Sequence, residues 1–79
     1  MEDFESKFED LLERGYEISF SEKDNFNQFA KVHEKIYYAS FKKNGRVLIE
    51  FPSRTSSKKA FIDGYYFLPK IEKLLNKQK

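Results

Sequence analysis

The stretch Lys35-Ile36-Tyr37-Tyr38-Ala39-Ser40-Phe41-Lys42-Lys43-Asn44-Gly45-Arg46-Val47-Leu48-Ile49-Glu50-Phe51 decides the fold of this chain. Aromatic and branched residues, which suit a pleated and half-buried surface, fill both flanks of Asn44-Gly45. Asn-Gly is the dipeptide a two-residue hairpin turn favours, because both turn positions take positive φ. With Asn44 and Gly45 in the turn, Lys43 faces Arg46, Lys42 faces Val47, Phe41 faces Leu48, Ser40 faces Ile49, Ala39 faces Glu50 and Tyr38 faces Phe51. Alternate pairs share a face. One face then collects Ile36, Tyr38, Val47, Ile49 and Phe51 and is expected to be the core. The other collects Tyr37, Phe41, Lys43, Arg46, Leu48 and Glu50, mixing rings with positive charge, and is expected to be free.

Working outward toward the N-terminus, Tyr16-Glu17-Ile18-Ser19-Phe20 alternates apolar and polar with period two and reads as a strand. Before it, Phe4, Phe8, Leu11 and Leu12 form one stripe of a 3.6-residue helix over about 3–14. Acids at Glu2, Asp3 and Glu5 suit the positive end of that helix, and Gly15 offers a residue able to end it. Residues 21–34 stay open between a short helix, suggested by Phe26, Phe29 and Ala30 with a cap at Asp24 or Asn25, and a turn leading into the second strand.

Toward the C-terminus, Pro52-Ser53-Arg54-Thr55-Ser56-Ser57-Lys58-Lys59 ends the hairpin in a polar loop, with Ser56 or Ser57 as the N-cap of a last helix. Phe61, Tyr65, Leu68, Ile71 and Leu75 carry the helical stripe. Gly64 and Pro69 disturb it, so this helix is expected either to kink near Pro69 or to break and restart there. The fold class is α+β: an N-terminal helix, a three-stranded antiparallel sheet with the Asn44-Gly45 hairpin, and a C-terminal helix, in a single small domain spanning 1–79.

Composition narrows the chemistry. The chain of 79 residues has nine Phe and five Tyr but no Cys and one His. The aromatic residues are sufficient for a core without disulfides, and no cofactor or metal site is expected. His33 has no evident catalytic companion, Ser56 or Ser57 beside Lys58 reads more simply as a helix cap, and the three glycines stand alone at 15, 45 and 64. No enzymatic activity is expected. The acidic Met1–Glu5 start does not read as a secretory leader, and no apolar run approaches the roughly 20 residues needed to span a bilayer. A cytoplasmic protein with no membrane partner is the expectation.

Net charge is only +2, but it is unevenly placed. Residues 1–25 hold nine acids and three basic side chains, whereas residues 26–79 hold twelve Lys or Arg and four acids. Such asymmetry points to an anionic partner for the basic part. Lys42, Lys43, Arg46, Arg54, Lys58 and Lys59 are the candidate phosphate contacts, and Tyr37 and Phe41 the candidate stacking rings for bases. Glu9, Asp10 and Glu13 form an acidic face open either to solvent or to a basic partner protein.

Helix, three strands and helix, with Ser57-Lys58-Lys59-Ala60 opening the last helix, is similar to a double-stranded RNA-binding domain. In that family the final helix begins with a serine and two lysines that straddle the groove. The chain lacks the family's Gly-Pro-x-His type loop between the first two strands, and Gly64 and Pro69 stand where the family prefers alanine. The resemblance implies RNA as ligand. The expected function is thus a small non-enzymatic RNA-binding accessory protein, acting on RNA or alongside an RNA-processing enzyme. The alternative is an inhibitor or antitoxin encoded by a virus or mobile element, blocking a protein such as a nuclease directly. An exposed aromatic sheet face is also suited to pairing two copies into a homodimer.

Overall fold

A computed structural model describes residues 3–77 of the chain. Its elements run α1 (Phe4–Glu13), β1 (Tyr16–Asn27), β2 (Val32–Lys43), β3 (Arg46–Ser53) and α2 (Ser57–Lys77). The strands form one antiparallel sheet in the order β1-β2-β3. Asp3 caps α1 by accepting the amide of Ser6 at 3.2 Å, and Gly15 at φ +90° follows its end. Both helices cover the same sheet face, with Leu11 of α1 and Ala60, Phe61, Ile62 and Leu68 of α2 buried against Tyr16, Ala39 and Phe41.

Phe61 is the hub of this core. Its ring meets those of Phe4, Phe8, Phe20 and Phe41 at centroid separations of 4.8, 5.6, 6.3 and 5.6 Å, joining α1, β1, β2 and α2. Such aromatic pairs contribute roughly 0.5–1.5 kcal/mol each beyond the area they bury.

The Asn44-Gly45 turn forms as the sequence requires, with φ of +56° and +75°. Lys43↔Arg46 and Lys42↔Val47 also pair as expected. Beyond them the register slips by one residue, and Phe41 pairs with Ile49, Ala39 with Phe51 and Tyr38 with Pro52. Leu48 is the extra residue of a β-bulge. The bulge moves Ile49 and Phe51 onto the face of Phe41 and Ala39.

This corrects the assignment of faces. The covered face holds Phe41 and Ala39 rather than Tyr38, while Ile36, Tyr38 and Val47 lie on the opposite, free face. The expected stacking surface is therefore core at Phe41. The free face is polar at its centre, where the Ser40 hydroxyl donates to Glu50 Oε1 at 3.4 Å.

Residues 21–34 form no helix. β1 continues to Asn27, and a four-residue turn returns the chain into β2 at Val32. The Asn27 side chain supplies the turn chemistry: its Oδ1 accepts the amides of Phe29 and Ala30 at 3.0 and 3.1 Å, and its Nδ2 donates to Glu34 Oε1 at 2.7 Å. The five residue pairs from Lys23↔Ile36 to Asn27↔Val32 extend past the last β2–β3 pair, Tyr37↔Ser53. They form an arm roughly 16 Å long at about 3.3 Å per residue. The arm explains a radius of gyration of 14.2 Å, where a compact chain of this length has about 11–12 Å.

α2 is a single helix with Pro69 inside it. Pro69 is exposed, and its missing N–H leaves the Tyr65 carbonyl without its helical donor. Gly64 does not weaken this helix so much as set its height over the sheet. A Cβ there would overlap the ring edge of Phe41 and crowd Phe51.

Candidate nucleic-acid interface

Chain direction sorts the basic residues into two groups. β3 carries the chain from the Asn44-Gly45 turn toward the arm, and α2 then runs back. Lys42, Lys43 and Arg46 therefore sit at one end of the sheet, while Arg54, Lys58 and Lys59 sit at the other. Seven residue steps separate Arg46 from Ser53, or roughly 23 Å of strand. The six residues that the sequence offers as one site are not brought together.

At the arm end, Ser53 and Ser56 shape the approach to α2. Ser53 Oγ accepts the amides of Thr55 and Ser56 at 3.2 and 3.5 Å, and Ser56 Oγ caps the helix by accepting the Lys59 amide at 3.1 Å. The remaining first-turn amides point out of the helix end, where its dipole favours anions. Lys58 and Lys59 extend from this turn. Lys58 Nζ lies 6.0 Å from the centroid of the Phe4 ring at the start of α1, and Lys59 Nζ pairs with Asp63 at 3.1 Å. Arg54 Nε pairs with Glu34 of the arm at 3.5 Å. The starts of both helices and the base of the arm thus share one end of the molecule.

At the other end, Lys42 points to the free face, opposite Glu17 and Val47, and is separated from its neighbour Lys43 by the sheet itself. Lys43 and Arg46 lie on the covered side at the margin of the core. Lys43 Nζ sits 4.7 Å from the centroid of the Tyr16 ring. Tyr16 is buried, and its hydroxyl has no hydrogen-bond partner among the described residues. A buried orphan donor costs about 1–3 kcal/mol.

The candidate rings divide as well. Phe41 is fully buried beneath Phe61 and Gly64, so it cannot stack on a base. Tyr37 is half-buried near the end of the β2–β3 ladder, opposite Glu22 and Ser53. The acidic face divides too. Glu9 and Glu13 are exposed, but Asp10 accepts the Tyr65 hydroxyl at 3.2 Å and pairs with Arg14 at 3.2 Å, tying α1 to α2.

Sequence reasoning missed the arm. Its tip exposes Phe29 completely and Phe26 and Val32 by half, and Phe26 stands edge-on to His33 at 5.1 Å. The signal was present in Asn27, whose side chain can close a turn on the amides two and three residues ahead. Among the described residues no group of three His, Cys, Asp or Glu side chains is placed to hold a metal, and no helix is long and apolar enough to cross a membrane. Comparison with known protein families, curated proteins and solved structures finds no significant match.

Proposed function

We propose that this protein is a non-enzymatic, cytoplasmic RNA-binding module that holds a phosphate backbone at the start of α2. One observation carries the reading: Lys58 and Lys59 leave the capped first turn of α2 at the same end of the molecule as the arm, itself bearing exposed Lys31 and Lys35. Two separated basic contacts, one on a helix end and one on a protruding hairpin, suit the shape-directed reading of duplex RNA across successive grooves. The element order agrees with the double-stranded RNA-binding resemblance. Tyr37 is the remaining ring for contact with an unpaired base, and Arg54 stiffens the junction through Glu34.

Binding of a 20-base-pair RNA duplex, followed by fluorescence anisotropy at two salt concentrations, tests the proposal. Affinity is expected to fall steeply with salt, because each neutralised phosphate releases counterions. The double reversal Lys58→Glu with Lys59→Glu should remove binding, whereas Lys42→Glu on the free face should leave it nearly unchanged. Duplex affinity that survives the double reversal rules out this site.

The apolar arm tip favours a second reading, an inhibitor or antitoxin that inserts Phe29 into a partner protein such as a nuclease. In that case Phe29→Asp abolishes a ribonuclease-resistant complex with the partner while RNA affinity is retained.

A further inference from the structure

The β2–β3 turn and the last turns of α2 border an open cleft of about 750 Å³, within the size range of roughly 300–1,000 Å³ typical of small-ligand sites. It lies at the end of the molecule away from Lys58 and Lys59. Lys43 and Arg46 are direct cross-strand partners on its one wall, with Cβ atoms expected about 4.5–5.5 Å apart. Two cations at that spacing can close on a single anionic group. Glu72 of α2 stands on the other wall, and Leu48 and Leu75 contribute apolar surface. Neither Lys43, Arg46 nor Glu72 makes an ion pair among the described residues. Tyr16, at 2% exposure and with its hydroxyl unpartnered, is also part of the lining.

These groups specify a ligand that is anionic at one end, flat and apolar in its middle, and a hydrogen-bond donor at the other. We propose that the cleft binds one guanine nucleotide, either free or as an unpaired residue of an RNA. The phosphate lies on Lys43 and Arg46, where a guanidinium can offer two parallel N–H donors. The base lies between Leu48 and Leu75. Glu72 accepts from N1–H and the exocyclic amine of guanine, which are adjacent donors matching a carboxylate in the way a guanidinium does. Adenine, cytosine and uracil each lack that pair of neighbouring donors. An amino acid, the other common ligand with opposite ends, would leave most of the cleft unfilled.

The bulge is what builds this site. By adding Leu48 to β3 it supplies an apolar side chain at the cleft, beside Arg46, while Ile49 continues the core.

Titration of the full chain, followed by amide resonances of residues 43–48 and 72–76, tests the assignment with four probes: 5′-GMP, 5′-AMP, inorganic phosphate, and a uridine hexamer carrying one guanosine. GMP or the hexamer should bind at the cleft, and GMP should bind at least roughly tenfold tighter than AMP or phosphate, a difference of about 1.4 kcal/mol. Tighter binding of the hexamer than of GMP assigns the site to an RNA residue, and the reverse order assigns it to the free nucleotide. Glu72→Gln should erase the preference for GMP over AMP, and Lys43→Ala with Arg46→Ala should remove binding of both. The assignment is overturned if neither GMP nor the hexamer shifts these resonances, if phosphate alone binds as tightly as GMP, or if Glu72→Gln leaves the preference intact. The Lys58→Glu, Lys59→Glu variant should bind GMP normally, so this site and the duplex surface stand or fall separately.

Discussion

The two hairpins share strand β2 and differ in almost everything else. The β2–β3 hairpin turns on Asn44-Gly45, carries a bulge at Leu48 and packs its inner residues under α2. The β1–β2 hairpin turns on the side chain of Asn27, runs twelve pairs without a bulge and leaves its last five pairs outside the sheet's third strand. One strand is therefore core at Phe41 and bare at Val32. Local turn chemistry suffices to bring two strands together, but only packing against a helix decides which face is inside. An isolated two-stranded ribbon is marginal in water, so the arm must draw its order from the sheet behind it and from the Arg54–Glu34 contact at its base.

Among single substitutions, the largest expected effect comes from testing the two faces of β2 against each other. Phe41→Ala empties the space beneath Phe61 and Gly64, and large-to-small changes of this kind cost about 3–5 kcal/mol. Tyr38→Ala, three residues away on the free face, removes the ring beneath the Lys23 ammonium, whose Nζ lies 5.3 Å from the Tyr38 centroid. It should cost about 1 kcal/mol or less, as exposed cation–π pairs do. Urea melts of the two variants measure both. A larger loss for Tyr38→Ala than for Phe41→Ala would return the faces to the regular two-residue register.

Deleting Leu48 is the sharper test of the bulge. Removing a residue from a strand without a bulge flips every later side chain to the other face. Leu48 has no partner on β2, so its removal leaves Val47 opposite Lys42 and Ile49 opposite Phe41, as they already are. The deletion should fold, losing only the partial burial of one leucine, about 1–2 kcal/mol. Deleting Ser40 from β2 instead should unfold the chain, because β1–β2 pairing has no bulge to absorb the loss and Ala39 would leave the covered face. Circular dichroism and denaturant midpoints distinguish the outcomes.

The same two hairpins show how much of the molecule can be read from residue order. The turn at Asn44-Gly45, α1 with its cap, the start of β1 and the α+β order follow from local chemistry and period. The faces of β2 do not, since Tyr37-Tyr38 offers a ring to each side and Ile36 and Phe41 fall on opposite ones. The bulge is equally hidden: Val47-Leu48-Ile49 is apolar at every position, so a one-residue slip leaves no trace in the pattern. Gly64 reads as a helix weakness until Phe41 is seen beneath it. For the candidate site, the basic residues are legible one by one, but their division between two ends depends on α2 running antiparallel to β3. Glu72 becomes a candidate for the cleft only when the last turns of α2 come to rest beside the turn.

The smallest effect on global stability, and the most local, is expected at the arm. Asn27 holds the amides of Phe29 and Ala30 and reaches Glu34, so Asn27→Ala removes three hydrogen bonds from a segment that few apolar contacts support. At a net 0.5–1.5 kcal/mol or so per bond, the arm should open far more often while the core, which the turn does not touch, keeps its midpoint. Native-state hydrogen exchange resolves this: amides of residues 23–27 and 32–36 should lose roughly tenfold or more in protection, and those of 37–43 should not change. Phe29→Ala, at a fully exposed tip, should alter neither. If Asn27→Ala instead lowers protection evenly along β2, the arm and the sheet unfold as one unit, and the protruding hairpin is a rigid extension of the core rather than a separately opening element.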